Sequence, residues 1–290
     1  MPEDGKATTP GIVSVVIPTL NSEATLISCL NSLKNETYAN VEVLIVDGGS
    51  TDATIEIGQA YGAIVLKGNL PRSAARRAGA ALASGDYLLF LDADQSIERE
   101  VIRDAVQTCR DAHARSVVIP EIGTGDGVWA ACRNLDRMSV QGTDLSYPRF
   151  FSRDTYWQVG GHRMGLESFM EDRDLFLRVV ASGVAIGAIH SRIVNLADPV
   201  NPLTLGIRGL KSAADSSTYY SSPRAKRDAL MKLVAARLAA LIIAAHNLRV
   251  RRAEIIVAMP LYLTLAYGPR FILAGLSSIR SLATRAWRSP

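Results

Sequence analysis

"YLLFLDADQS" (Tyr87–Ser96) sets five residues of an apolar strand, Tyr87–Leu91, against two carboxylates, Asp92 and Asp94, one residue apart. An unbroken apolar run, as opposed to an alternating one, marks a strand covered on both faces. "IVSVVIP" (Ile12–Pro18), "VEVLIV" (Val41–Val46) and "AIVLKG" (Ala63–Gly68) read the same way. Between them lie segments of helical period. Residues 21–35 carry Leu26, Ile27, Leu30 and Leu33, with Ser22 as N-cap; "ATIEIGQAYG" is closed by Gly62; "SAARRAGAALAS" is stopped by Gly85. Strand and helix alternating with short connections predicts an α/β fold: a mostly parallel, Rossmann-like sheet flanked by helices, with right-handed crossovers.

The pattern continues with a helix over 98–112 and a strand "SVVIPE" (Ser116–Glu121). A helix "EDRDLFLRVVASG" (Glu171–Gly183) has Leu175, Phe176 and Val179 on one side, and "VAIGAIH" (Val184–His190) is a final strand. Residues 123–165 are rich in Gly, Arg and aromatics and predict irregular structure.

Ligands of open parallel sheets bind outside the carboxyl ends of the strands. Asp47 and the Asp92/Asp94 pair sit at such ends, so they are expected to share one crevice. Alternate residues leaving a strand point the same way, so Asp92 and Asp94 can face one ligand together. Two hard oxygen ligands suit Mg²⁺ or Mn²⁺. A loop pair capping the next helix is the alternative.

A 290-residue chain with 48% hydrophobic and 21% charged residues excludes a disordered protein and allows one large domain plus an appendage, or two small domains. Its three cysteines, Cys29, Cys109 and Cys132, have neither metal nor disulfide spacing and read as reduced thiols. Residues 1–10 are polar, have no apolar core of a secretory signal, and are expected to be a flexible tail. The net charge of +4 is unevenly spread: residues 1–200 carry 18 Lys+Arg against 25 Asp+Glu, residues 201–290 carry 14 against 3.

Five motifs occur in order: "VIPTLN" (Val16–Asn21), "VDGGSTD" (Val46–Asp52), "AARRAG" (Ala74–Gly79), "FLDAD" (Phe90–Asp94), and "GG" at Gly160–Gly161 followed by "EDRDL" (Glu171–Leu175). The ordered set resembles the family-2 glycosyltransferases, over roughly Val13–Ile189. That resemblance implies a nucleotide-sugar-binding A-type fold over residues 11–200. It implies that Pro18, Thr19 and Asn21 border the nucleotide and that Asp47 contacts its base. Asp92 would hold the ribose, and Asp94, with Asp92, the Mn²⁺ or Mg²⁺ and diphosphate. Arg76 matches the family's arginine, while Arg77 stands where the family usually has Asn. Of the Glu171–Asp172 pair, Asp172 would be the general base of a single displacement with inversion. Arg149 and the metal would neutralise the leaving group. Without the upstream motifs, Glu171 and Asp172 would read as a favourable acidic start to a helix. Trp129, Arg133 and Arg149 lie where family members place acceptor and diphosphate contacts. His162 stands where an aromatic is usual, and His190 ends a strand; each reads as a structural histidine, with a metal or diphosphate role the alternative.

In the C-terminal region (201–290), residues 229–248 and 253–276 are long and apolar, but Lys232, Arg237, Pro260, Pro269 and Arg270 interrupt them. An interfacial, membrane-associated helical region on anionic lipid fits better than a spanning hairpin. Aliphatic companions to the basic residues argue against nucleic acid. The expectation is a peripheral enzyme at the cytoplasmic membrane face. It would take a nucleotide-diphosphate sugar donor and a lipid-linked (polyprenyl), glycolipid or surface-glycan acceptor. No Q-x-x-R-W motif follows the E-D motif, so one sugar per encounter is expected. A sugar-nucleotidyltransferase would need a Gly-rich phosphate loop, which "PTLNSE" (Pro18–Glu23) lacks. A non-catalytic nucleotide-sugar-binding membrane module is the remaining alternative.

Overall fold

Alternation of side chains along the first strand explains how both faces of the sheet are closed. In the computed structural model, which describes residues 11–140, 146–166, 170–196, 201–207, 210, 255 and 258–266, β1 (Val13–Thr19) is an interior strand of the main sheet. Val13, Val15 and Ile17 point into one core with Leu26, Leu30 and Leu33 of α1 (Glu23–Lys34) and Val101, Ile102 and Val106 of α4 (Val101–Asp111). Val16 points into the other, with Leu44, Leu88, Phe90, Phe151, Tyr156 and Leu175. In α1 the stripe is Leu26, Cys29, Leu30 and Leu33, and Ile27 is exposed. Ser22 does cap this helix, but through its backbone oxygen, not its side chain.

The remaining elements are β2 (Val41–Asp47), α2 (Thr54–Ala60), β3 (Ile64–Lys67), α3 (Arg72–Leu82), β4 (Tyr87–Phe90) and β5 (Gln95–Ile97) before α4. After it come β6 (Ser116–Val118), β7 (Glu121–Gly123), α5 (Gly127–Val140), β8 (Phe150–Ser152), α6 (Arg153–Gln158), α7 (Met170–Ala181), β9 (Ile186–Ala188) and β10 (Ile193–Asn195). The seven-stranded sheet has the order β3-β2-β1-β4-β8-β6-β9, and β5-β10-β7 form a small second sheet. The chain runs outward from β1 to β3, then returns to place β4 on β1's other side, which makes the β1/β4 junction the switch point.

The last strand is β10, not β9, and β3, at the sheet edge, is partly exposed and not covered on both faces. Two further features depart from the sequence expectation. The stretch 123–165 is not irregular: it holds α5, β8 and α6. And β8 enters the sheet antiparallel, between β4 and β6. Its three residues, "FFS", are too few to announce a strand by period. Their burial comes from the neighbours that flank them.

One close approach is set by a glycine. A Cβ on Gly79 of α3 would lie 2.4 Å from Val16 Cγ1. Gly79→Ala is therefore expected to force α3 off β1 and to lower unfolding free energy by about 1–3 kcal/mol, read by urea titration. An unchanged midpoint would contradict the tight contact.

Part of the second apolar C-terminal segment is described. Residues 258–266 are helical, and Tyr262, with Leu205, is buried against Cys132 of α5. The Tyr262 hydroxyl donates to Asp136 Oδ2 at 3.1 Å. No described helix is long and apolar enough to cross a membrane. Residues 229–248 and the 1–10 tail lie outside the described residues.

Candidate active site

The first two strands end side by side, Thr19 opposite Asp47. Buried Asp47 accepts four hydrogen bonds: from Thr19 Oγ1 (2.9 Å), Ser50 Oγ, the Gly49 amide (3.0 Å) and the Ser50 amide (2.8 Å). Burial pushes its carboxyl up, but these donors pull it below the usual aspartate range. They occupy the roughly four lone-pair sites of a carboxylate. Asp47 thus builds the "GGS" turn, and a contact to a nucleotide base requires one of these bonds to be given up. Asn21, at φ 49°, accepts from the Thr51 amide (2.9 Å) through Oδ1, joining the loop after β1 to the loop after β2. Pro18 lies within β1 opposite Val46.

Asp92 follows β4 after buried Leu91. Its amide donates to Gln95 Oε1 (2.9 Å), and Gln95 Nε2 donates to Asn195 Oδ1 (3.0 Å), so a buried amide chain running into the second sheet holds the D-x-D turn. Asp94 is half-buried, and its carbonyl accepts from the Leu196 amide (2.7 Å).

Arg76 is the hub. Its guanidinium is fully buried, with Nη2 on Asp92 Oδ1 (2.6 Å) and Nη1 on both Glu171 Oε1 (2.8 Å) and Asp172 Oδ1 (2.7 Å). Three carboxylates, lying up to 96 positions from Arg76 in the chain, thus meet on its one side chain. Glu171 is sealed from solvent and also receives Arg72 Nε (2.7 Å). The two acidic residues at the start of α7 therefore differ: Glu171 anchors the arginines, and Asp172 is partly exposed. A direct catalytic contact by Glu171 is closed off in this arrangement.

Arg149 sits where antiparallel β8 enters the sheet, its carbonyl accepting from the Phe90 amide (2.9 Å). Its Nη2 lies 3.0 Å from Glu121 Oε1 and 3.7 Å from Asp92 Oδ2, and its Nη1 lies 3.6 Å from Asp172 Oδ2. Burial pushes the carboxyls of Asp92 and Asp172 up, but Arg76 and Arg149 outweigh it. Asp92 is held at about 2, and Asp172 far below the ordinary carboxylate range. Both are ionised at neutral pH.

His162 is buried, with Nδ1 3.0 Å from the Tyr156 hydroxyl and Nε2 3.6 Å from Asp172 Oδ1. Arg77 turns away from the hub: it donates to the carbonyls of Gly160 (2.6 Å) and His162 (3.3 Å) and lies over Trp157. Trp129 and Arg133 are on α5, where Trp129 packs around Cys132 and Tyr262. Exposed His190 follows β9, an edge strand of the main sheet.

Sequence reasoning missed Arg72, Glu121 and Tyr156. Arg72 and Arg76 are four apart on one helix, a same-face spacing legible in "RSAARRAG". Glu121 follows a strand end, as Asp92 does. Nothing in the sequence marks Tyr156. Among the described residues no three His, Cys, Asp or Glu side chains gather as a metal site. Asp94 and Asp92 are the residues whose oxygen donors could hold a hard cation that keeps waters and phosphate oxygens as its other ligands, with Asp92 Oδ1 already engaged by Arg76.

The glycosyl transferase family 2 profile matches residues 14–175. A PGL/p-HBAD biosynthesis glycosyltransferase of Mycobacterium bovis is 28% identical over 165 residues, which is 52% of this chain and 63% of that protein. The match thus spans under two thirds of that relative's length. Glycosyltransferase GlyA of Streptococcus pneumoniae is 35% identical over 96 residues, 31% of this chain and 14% of that one. Among solved structures, the mannosyltransferase PcManGT of Pyrobaculum calidifontis, in complex with GDP-Man and Mn²⁺, aligns with TM-score 0.59 at 16% identity over 98% of this chain and 89% of its own. S. aureus TarS 1–349 with UDP-GlcNAc aligns at 0.54 and 18% identity over 90% and 83%. With the profile covering more than half of its residues, the chain belongs to glycosyl transferase family 2.

Proposed function

We propose that this chain is a glycosyltransferase that moves one sugar from a nucleotide-diphosphate donor to an acceptor hydroxyl or phosphate by a single inverting displacement, with Asp172 as general base. The observation that carries the reading is the Arg76 hub, which sets Asp172 beside Asp92, the carboxylate at the switch point. Asp172 Oδ1 is engaged by Arg76, while Oδ2 makes no hydrogen bond among the described residues. Oδ2 is the oxygen left to accept the acceptor's proton. The acceptor oxygen bonds to the anomeric carbon, the bond from that carbon to the diphosphate oxygen breaks, and the electron pair leaves with the nucleoside diphosphate. A Mn²⁺ or Mg²⁺ on Asp94, assisted by Asp92, would supply charge neutralisation to the leaving group. Arg149 supplies a second positive charge beside both carboxylates. The GDP-Man, Mn²⁺ and UDP-GlcNAc complexes of the structural neighbours support a nucleotide-sugar donor and a divalent ion.

A lipid-linked acceptor at the cytoplasmic membrane face is part of the proposal. It is supported by the basic balance of residues 201–290 and by exposed Leu203, Ile207, Leu210 and Leu261 in that region.

A donor screen tests the reading. The full chain is incubated with Mn²⁺ or Mg²⁺, a panel of nucleotide sugars and a membrane lipid extract, and released nucleoside diphosphate is measured. One donor is expected to respond, with chelation abolishing release and Asp94→Ala lowering kcat/KM by about 100-fold or more. Full release in the presence of chelator would sink the metal assignment. Equal release without lipid would sink the lipid acceptor.

A further inference from the structure

The side chain beneath the proposed base is a histidine, and its protonation pattern can be read from its neighbours. The Tyr156 hydroxyl is buried and accepts a hydrogen bond from the His162 backbone amide (3.0 Å). It has one proton to donate. Among the described residues its acceptor is His162 Nδ1, at 3.0 Å. A neutral imidazole that accepts at Nδ1 carries its proton on Nε2, the atom 3.6 Å from Asp172 Oδ1. That gap is longer than a hydrogen bond, and contacts of this kind tighten when substrate binds.

We propose that His162 is a positioning residue for Asp172: Tyr156 fixes it as the Nε2–H tautomer, and this N–H holds Oδ1 so that Oδ2 meets the acceptor hydroxyl. The inference rests on Asp172 being the base.

The surroundings keep the ring in place and uncharged. Phe90 meets it edge to face, at 4.7 Å between centroids. Arg77 grips the His162 carbonyl, and Arg178 Nη2 donates to that of Gly161 (2.7 Å). Gly161 is at φ +62°, and a Cβ there would strike the Tyr156 ring at 2.8 Å, so the glycine lets tyrosine and histidine close up. Burial pushes the imidazole down to about 4; the cations of Arg76 and Arg149 push the same way, and Asp172 opposes them. A neutral donor suits the task. Asp172 already faces two guanidiniums, and a third cation would weaken it further as a base.

The test compares His162→Phe, His162→Gln and Asp172→Asn in the full chain with the responding donor. Phenylalanine keeps the aromatic packing and removes the N–H, while the glutamine amide returns a donor near the position of Nε2. His162→Phe is expected to lower kcat by about 10- to 100-fold with donor KM within about twofold, and His162→Gln to recover most of the loss. Ring ¹⁵N NMR of the unsubstituted protein at pH 7 is expected to give the Nε2–H tautomer. An Nδ1–H tautomer, an imidazolium, equal losses in the Phe and Gln variants, or a His162→Phe variant with full kcat beside an inactive Asp172→Asn would each overturn the proposal and leave the base assignment standing. An Asp172→Asn variant with full kcat would overturn the base assignment itself.

Discussion

Asp172→Asn is expected to fold, bind donor with near-parental affinity, and transfer sugar about 10³-fold more slowly, within the range of a lost general base. The amide keeps the shape of the carboxylate, so the defect should fall on kcat and leave donor KM little changed. Arg76 retains Asp92 and Glu171 as partners, so its charge stays compensated. The parental carboxylate presents a chemical difficulty: with Arg76 at 2.7 Å and Arg149 at 3.6 Å it is ionised but weakly basic. The donor's diphosphate is a competing anion for Arg149. Drawing that guanidinium off Asp172 would raise the basicity of Oδ2 when the donor is in place. Initial rates and thermal midpoints of the two proteins, measured together, check the expectation. Near-parental kcat would rule out Asp172 as the base.

Arg76→Met is expected to produce the largest loss of stability of any substitution at the site, about 3–5 kcal/mol. The guanidinium is fully buried and its three partners include Glu171, which is itself sealed from solvent. Removing it leaves Asp92 with Arg149 at 3.7 Å, Asp172 with Arg149 and His162 at 3.6 Å, and Glu171 leaning on half-exposed Arg72. Lysine is a poor substitute, since one ammonium does not reproduce a planar fork that reaches three carboxylates. The pH dependence has a definite sign. In the parent, Asp92 is depressed to about 2, so its contribution is present above the unfolded value near 3.9 and is lost as pH falls through about 2. In Arg76→Met, burial remains while the main compensating charge is gone, so the buried carboxyls move upward and favour protonation. The stability gap between the two proteins is therefore largest at neutral pH and narrows toward pH 4. Urea titrations at pH 7 and pH 4 measure it. A loss under about 1 kcal/mol at pH 7 would mean that the carboxylates find other partners.

The first four strands and three helices could be read along the chain because their periods are long enough to be distinct and their connections short. The C-terminal end of each strand marks where ligands meet the sheet, so the sharing of one edge by Asp47, Asp92 and Asp94 is legible in the sequence, whereas Thr19 enters only through the family resemblance. The E-D motif could be recognised, but the division of labour within it could not. Adjacent residues on a helix turn by about 100°, and which of the two faces the buried arginine depends on how α7 is rotated against α3. Arg77 is the same case on α3: it shares the motif with Arg76, yet it supports the glycine loop at Gly160–Gly161.

Apolar period and the order of motifs are enough to define the α/β architecture, the family and the cleft edge. The partners of the site residues come from folding. Antiparallel β8 brings Arg149 to Asp92, the second sheet braces the D-x-D turn through Gln95 and Asn195, and Tyr156 sets the tautomer of His162. Ion pairs and hydrogen bonds act over a few ångströms, whereas these partners are separated by as much as 100 positions along the chain. Local pattern carries no record of which distant residues folding will bring within that reach.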